Sequence, residues 1–146
     1  MRLKTHNYSS PGTYFITINS WRRDHIFSAI VRSRVALSPL GQAVERSWLA
    51  IPQHFEGARI DAFVIMPDHV HGIVHLLGPP HRPASLSGVV RRFKLSPTQW
   101  ARENLGVERI WHRNYHERIV RDRRALEAIR RYIIRNPAKW RGARRQ

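Results

Sequence analysis

An α+β fold, with an antiparallel sheet in a split β-α-β arrangement and helices mainly on one side, follows from three observations. Apolar residues recur at helical spacing in three stretches bounded by capping residues or prolines. Between them lie β-rich runs, two of which meet across a tight Pro67-Asp68 connection. The resulting order is strand, helix, two strands, helix, short strand, helix.

The elements follow in order. "SPGTYFITINSW" carries a turn signal at Pro11-Gly12 and then a strand through Ser20. A polar, arginine-bearing stretch comes next and suggests no element. Leu40, Val44, Trp48 and Ile51 then predict a helix over 39–51, with Pro52 at its end. "ARIDAFVIMPDHVHGIVHLL" reads as two strands, over 58–66 and 69–77, and residues 78–85 as a loop. Leu86, Val89, Val90, Phe93 and Trp100 predict a helix from 85 to about 103, with Pro97 marking a break or restart. "ERIWHRNYHERIV" reads as a short strand or extended segment. Asp122 is positioned as the N-cap of a last helix, with Leu126, Ile129 and Ile133 as its apolar stripe and Pro137 beyond its end.

The 146 residues are expected to form one domain, 1–146, around a single core. Its charge is unusual: 26 Lys+Arg against 10 Asp+Glu leave +16. Like charge at that density opposes folding by self-repulsion, which points to a polyanionic partner, nucleic acid first and an anionic membrane second. The surplus is concentrated in a strongly basic C-terminal segment, 109–146, where 13 Lys+Arg face only Glu117, Asp122 and Glu127. The lack of cysteine excludes thiol catalysis, disulfides and cysteine-ligated zinc. "MRLKTHNYSS" has no apolar segment behind its charges, and no apolar run approaches a membrane span, so a soluble cytoplasmic protein is expected.

Two stretches carry chemistry. In "MPDHVHGIVHL", His69 and His71 are two apart, so a strand points both to one face at about 6–7 Å separation. There they can share a metal ion while Val70, Gly72, Val74 and Leu76 pack the other face. His75 shares their face but lies about 13 Å from His71, too far for the same ion. Two imidazoles leave the coordination shell incomplete, so a third group or water is needed. In "RRYIIRNP", Tyr132 and Asn136 are four apart and share a helix face, with Arg130, Arg131 and Arg135 nearby. A phenol, an amide oxygen and guanidiniums suit attack on a phosphodiester. A core role for Tyr132 and surface solvation of the charges are the bland readings of the same residues.

"FVIMPDHVHGIVHL", "VVRRFKLSPTQW", "RIWHRNYHERIVRD" and "YIIRNPAKW", in that order, resemble the REP-associated tyrosine transposases. These belong to the wider single-tyrosine group of HUH endonucleases, in which U is a bulky apolar residue, here Val70. The likeness runs from about Thr13 to Trp140. It implies a ferredoxin-like sheet and cleavage of single-stranded DNA near hairpin-forming palindromes. It further implies a 5′-phosphotyrosine link with a free 3′-OH, and dependence on Mg²⁺ or Mn²⁺. Carried over by position, His69 and His71 form the metal pair and Tyr132 is the nucleophile. Asn136 falls where a related branch uses glutamine as third ligand, and Asp68 stands where asparagine commonly precedes the first histidine.

Tyr115 is the rival nucleophile, and Glu117 beside it is a rival third ligand or a group behind one. Arg91, Arg92, Lys94, Arg113, Arg130, Arg131 and Arg135 are the candidate contacts to the DNA backbone, and Trp111 the candidate for stacking on unpaired bases. The expected partner is single-stranded hairpin DNA, with no membrane, and the expected state a monomer or homodimer. Three other classes remain: a catalytically silent hairpin-binding protein, a histidine-metal hydrolase that uses water, and a basic membrane-surface protein.

Overall fold

Residues 10–141 of the chain are described in the computed structural model. Strand β1 (Gly12–Asn19) leads into a tight turn at Trp21–Arg23 and then a hairpin of β2 (Ser28–Val31) and β3 (Arg34–Leu37). Helix α1 (Pro39–Leu49) and the short α2 (Ile51–His54) precede β4 (Ala58–Met66) and β5 (His69–Leu76). Helix α3 (Leu86–Leu105), β6 (His116–Val120) and α4 (Arg123–Arg135) complete the order.

The main sheet is antiparallel throughout, in the order β4-β5-β1-β6. Strands β1 and β4 are thus split by β5, and β5 and β6 by β1, which is the ferredoxin-like arrangement the sequence predicts. Tyr14, Ile16 and Ile18 of β1, with Val70, Val74 and Leu76 of β5, form one apolar face. Leu40, Val44 and Trp48 of α1 and Leu86, Val89, Val90 and Phe93 of α3 cover it. The opposite face is smaller: Val64, Met66, Ile73 and Val120 meet Ile129 and Ile133 of α4. Helices therefore lie mainly on one side, and α4 crosses the side that bears the histidines.

The three long helices start where their capping residues stand. Ser38 Oγ accepts from Gly41 N–H (2.9 Å), Ser85 Oγ from Gly88 N–H (3.0 Å), and Asp122 Oδ1 from Ala125 N–H (2.8 Å). Gly106, left-handed at φ 65°, closes α3.

Three expectations need correction. The polar stretch after β1 contains the β2–β3 hairpin. Its turn places Arg32 and Ser33 at positive φ without glycine or asparagine, so the usual hairpin signal is missing. Pro52 does not follow a single helix; it sits in the first turn of α2. Pro97 does not interrupt α3. Without an N–H, it leaves the Phe93 carbonyl free of its helical partner, and Ser47 Oγ on α1 donates to that oxygen at 2.7 Å. Among the described residues no helix is long and apolar enough to cross a membrane.

Gly72 shows why the strand of the histidine pair carries a glycine. A Cβ there would overlap the ring of Trp48, which packs directly on the strand backbone. Gly72→Ala is expected to destabilise the fold by roughly 1–3 kcal/mol, the usual cost of overpacking a core. Urea unfolding of the variant beside the natural protein measures it.

Candidate active site

Strand β5 leaves the Pro67-Asp68 turn with His69 and His71 on the face toward α4, their ring centroids 4.5 Å apart. Each ring is anchored through Nδ1. His69 Nδ1–H donates to Asp68 Oδ1 at 2.7 Å, and His71 Nδ1 shares a 2.9 Å hydrogen bond with Thr17 Oγ1. Anchoring Nδ1 reserves Nε2 of both rings for something outside the sheet, the arrangement that orients imidazole ligands at metal sites. Burial, with help from nearby His69 and Arg23 and against the pull of Asp68, lowers His71 to about 3. It is therefore a neutral donor at ordinary pH, as ligation requires.

Asp68 is fully buried and is also held by Arg23, whose Nε and Nη2 lie 3.1 and 2.9 Å from Oδ2. Arg23 reaches it from a strained turn in which Arg22 and Arg23 both adopt left-handed backbone, φ 56° and 59°. For non-glycine residues that conformation costs about 1–2 kcal/mol each. Such strain persists only where surrounding contacts hold it. Here they include Ser20 N–H to the Asp68 carbonyl (2.9 Å) and Ser20 Oγ to the Asp24 carbonyl (2.7 Å).

Helix α4 brings Tyr132 to this pair. Its ring is half exposed and meets His71 at 5.3 Å and Phe15 at 6.2 Å, edge-on in both cases. Asn136, one turn on, keeps helical backbone despite preceding Pro137, and its Nδ2 donates to the Tyr132 carbonyl at 3.3 Å. The amide oxygen is then the atom with ligand character. Trp140 borders His69 at 6.5 Å.

The helix is moored by an ionic network. Arg130 grips Asp61 with two bonds, Nε to Oδ1 at 3.0 Å and Nη2 to Oδ2 at 2.6 Å. His75 Nε2–H donates to the same Oδ2 at 2.8 Å, and its Nδ1 accepts from the Thr13 hydroxyl at 2.8 Å. Chiefly through Arg130, Asp61 is held well below the usual carboxylate range. A bulge in β4 makes this possible. Asp61 and Ala62 together oppose Ile73, so both turn toward α4.

Other expected site residues fall elsewhere. Glu117 is no partner of the histidines: it pairs with Ile16, on the sheet face covered by α1 and α3. Tyr115 likewise packs against the larger core, away from the pair. Trp111 cannot stack on bases, because its ring is buried against Phe27 and Phe93 and its Nε1 donates to the Lys94 carbonyl at 3.2 Å. Lys94 is turned inward as well, its ammonium on the carbonyls of His112 (3.0 Å) and Arg113 (3.4 Å), and burial lowers its pKa. Arg130 serves Asp61. Arg91, Arg92, Arg113, Arg131 and Arg135 are exposed, the first two on α3, behind the sheet from the histidines.

Arg23, Thr17 and Arg118 also border the site, and no motif in the sequence singles them out. Arg118 pairs with Phe15 across the β1–β6 ladder and lays its guanidinium 5.9 Å from that ring, at the border of the site. Strand alternation from His116 could have found it. Nothing local marks Arg23. Among the described residues no three His, Cys, Asp or Glu side chains gather as a metal cluster. The nitrogen pair would need Asn136 or water to complete a shell.

A ferredoxin-like sheet presenting two Nδ1-anchored histidines to a tyrosine on an overlying helix defines the class of domain. The chain belongs to the IS200-like transposase family, whose pattern it matches over residues 19–136. It is 39% identical over 158 residues to an uncharacterised protein of Haemophilus influenzae, covering 96% of this chain and 88% of that one. Its fold is similar to that of a REP-associated tyrosine transposase bound to a REP hairpin, with a TM-score of 0.70 and 24% identity over 95% of this chain and 74% of the other. A putative transposase from Deinococcus radiodurans shares the fold at a TM-score of 0.54 and 16% identity, with 93% and 98% covered.

Because folded His71 binds its proton only near pH 3 and an unfolded imidazole near 6.5, the unfolded chain takes up a proton that the folded one refuses. Stability should therefore fall as pH drops through that window. His71→Gln should flatten this part of the profile, as urea unfolding between pH 7 and pH 4 would record. Asp61→Asn should loosen α4 first, seen as faster amide exchange over 123–135 while β1 and β5 keep their protection.

Proposed function

We propose that the protein is a metal-dependent single-stranded DNA endonuclease and strand transferase that acts at hairpin-forming elements through a covalent phosphotyrosine. The observation that carries this reading is the juxtaposition of Tyr132 with His71 and His69, whose Nε2 atoms are left for a ligand. The family membership supports it.

The residues fit a divalent cation: both donors are oriented, His71 is neutral, and Asp68 holds His69 through Nδ1. Mg²⁺ or Mn²⁺ held by His69 and His71, with Asn136 or water, would polarise the scissile phosphate and offset charge in its transition state. Nitrogen donors favour Mn²⁺ over Mg²⁺.

Tyr132 Oη attacks phosphorus and forms a P–O bond as the P–O3′ bond breaks. The phenolic proton is lost, the departing 3′ oxygen gains one, and the 5′ phosphate remains on the tyrosine. A later 3′-OH attacking the same phosphorus reverses the exchange and joins strands without a nucleotide cofactor. Phe15 and His71 hold the phenol edge-on, and the Asp61–Arg130 bond fixes the helix that carries it. Arg118, Arg131 and Arg135 supply positive charge around the phosphate path. Since α4 lies on its own sheet, one chain can assemble the histidines and tyrosine; monomer and homodimer are both compatible with this.

Labelled single-stranded hairpin DNA incubated with the protein and Mn²⁺ should yield a protein-linked product on a denaturing gel. Tyr132→Phe should abolish it and Tyr115→Phe should retain it, while His71→Ala should reduce it by at least about a hundredfold. An adduct that survives Tyr132→Phe and vanishes in Tyr115→Phe would overturn the nucleophile assignment.

A further inference from the structure

Trp111 is buried, but a second indole, Trp21, stands half-buried next to it at the edge of two clefts. Trp21 N–H donates to the Ile110 carbonyl and His112 N–H to the Asn19 carbonyl, both at 2.9 Å, and Ser20 bridges Trp111. Residues 19–21 and 110–112 are thereby stitched together, and Lys94 holds the carbonyls of His112 and Arg113 from behind. The platform so formed carries Trp21, Arg109 and Arg113 in fixed relation. The Arg109 guanidinium lies 4.9 Å from the Trp21 ring centroid and that of Arg22 5.4 Å.

The first cleft, about 530 Å³, is lined by Trp21, Arg109, Trp111, His112, Arg113 and Asn114, none of them acidic. The second, about 600 Å³, shares Trp21 and Arg109 but adds Asp24 and Glu108, which oppose an anion. A volume of this size suits a nucleotide-sized ligand. Only the first cleft pairs an aromatic surface with uncompensated positive lining. It is also joined to the candidate active site by one short turn, since Arg23, two residues beyond Trp21, grips Asp68 and through it His69.

We propose that this cleft binds one unpaired nucleotide of the DNA beside the position of cleavage, its base against Trp21 and its phosphate on Arg109 and Arg113. The assignment rests on the reading of the protein as a single-stranded DNA transposase. An aromatic surface selects unpaired DNA, because a duplex keeps its base faces stacked, and it tolerates any base. Among the described residues the arginines near the ring are stacked on it and make no ion pair, so they can turn their N–H groups to phosphate without losing a salt bridge to any of these.

The test is fluorescence-anisotropy binding of a short oligothymidine and of a duplex of equal length, with the natural protein, Trp21→Ala, Trp21→Phe and Arg109→Gln. Trp21→Ala should weaken oligothymidine binding by roughly 5- to 150-fold, the range expected for loss of one base–aromatic stack, and leave duplex binding unchanged. Trp21→Phe should stay within about threefold, which guards against a folding defect in the alanine variant. Arg109→Gln should reduce the salt dependence by about one phosphate contact. Oligothymidine carrying 5-iodouracil should crosslink to the peptide containing Trp21. Unchanged oligothymidine affinity in Trp21→Ala, equal loss on both probes, or crosslinks confined to other peptides would overturn the cleft. The phosphotyrosine assay reads the enzyme separately. An adduct with a Trp21-independent affinity removes the cleft alone, and a Trp21-dependent affinity without any adduct upholds the cleft and removes the enzyme reading.

Discussion

The buried carboxylate of Asp68 is the constraint on which the site depends. A charge removed from water at that depth would cost several kcal/mol if left alone, so it must be surrounded by donors. Arg23 and His69 are two of them. Satisfying Asp68 therefore forces two events at once: His69 presents Nε2 outward, and the chain after β1 folds into a turn that only strained backbone can make. The geometry of the ligand pair and the path of residues 20–24 share one electrostatic cause.

The sheet divides labour between its faces. The larger core, with Trp48 seated on Gly72, supplies most of the apolar burial and sets the plane of β5. The other face has a smaller core and carries polar chemistry instead, with His69, His71, Thr17 and His75 among the apolar residues that meet α4. Helix α4 has only Ile129 and Ile133 fully buried, so its hold by packing is modest. The bidentate Arg130–Asp61 pair, backed by His75 and Thr13, adds direction to that hold. Hydrophobic contact keeps the helix on the sheet, whereas the ion pair limits how it can rotate, and the position of Tyr132 follows from both.

Periodicity and caps made most of the fold legible: Ser38, Ser85 and Asp122 cap where they stand in sequence, and the alternation of "HVHGIVHL" assigned both faces of β5. The histidine pair and Tyr132 were legible for the same reason, since i,i+2 and i,i+4 spacings are local. What stayed hidden was tertiary. The β2–β3 turn uses Arg and Ser in left-handed backbone, and the continuity of α3 past Pro97 depends on a hydroxyl fifty residues earlier. Trp111 looked like a surface aromatic because its neighbours Arg109, His112 and Arg113 are polar, and only packing against Phe27 and Phe93 reveals it as core. Glu117 looked adjacent to the site because sequence distance says nothing about which face a paired strand presents. Arg23 is distant from Asp68 in sequence and carries no pattern at all.

The bulge at Asp61 and Ala62 has a consequence for how this chain can vary in length. A regular ladder there would be one residue shorter and would pair more uniformly with β5. Removing Ala62 would leave the rest of β4 on its present faces, with Asp61 alone opposite Ile73, whereas pairing all nine residues one to one would reverse the in–out phase of one half relative to the other. Either the apolar side chains of Phe63 and Ile65 or the carboxylate of Asp61 would then face the wrong layer. The irregular strand is thus a phase marker: closing it with its length kept would gain the sheet a hydrogen-bonded pair, and the tyrosine would lose its bearings.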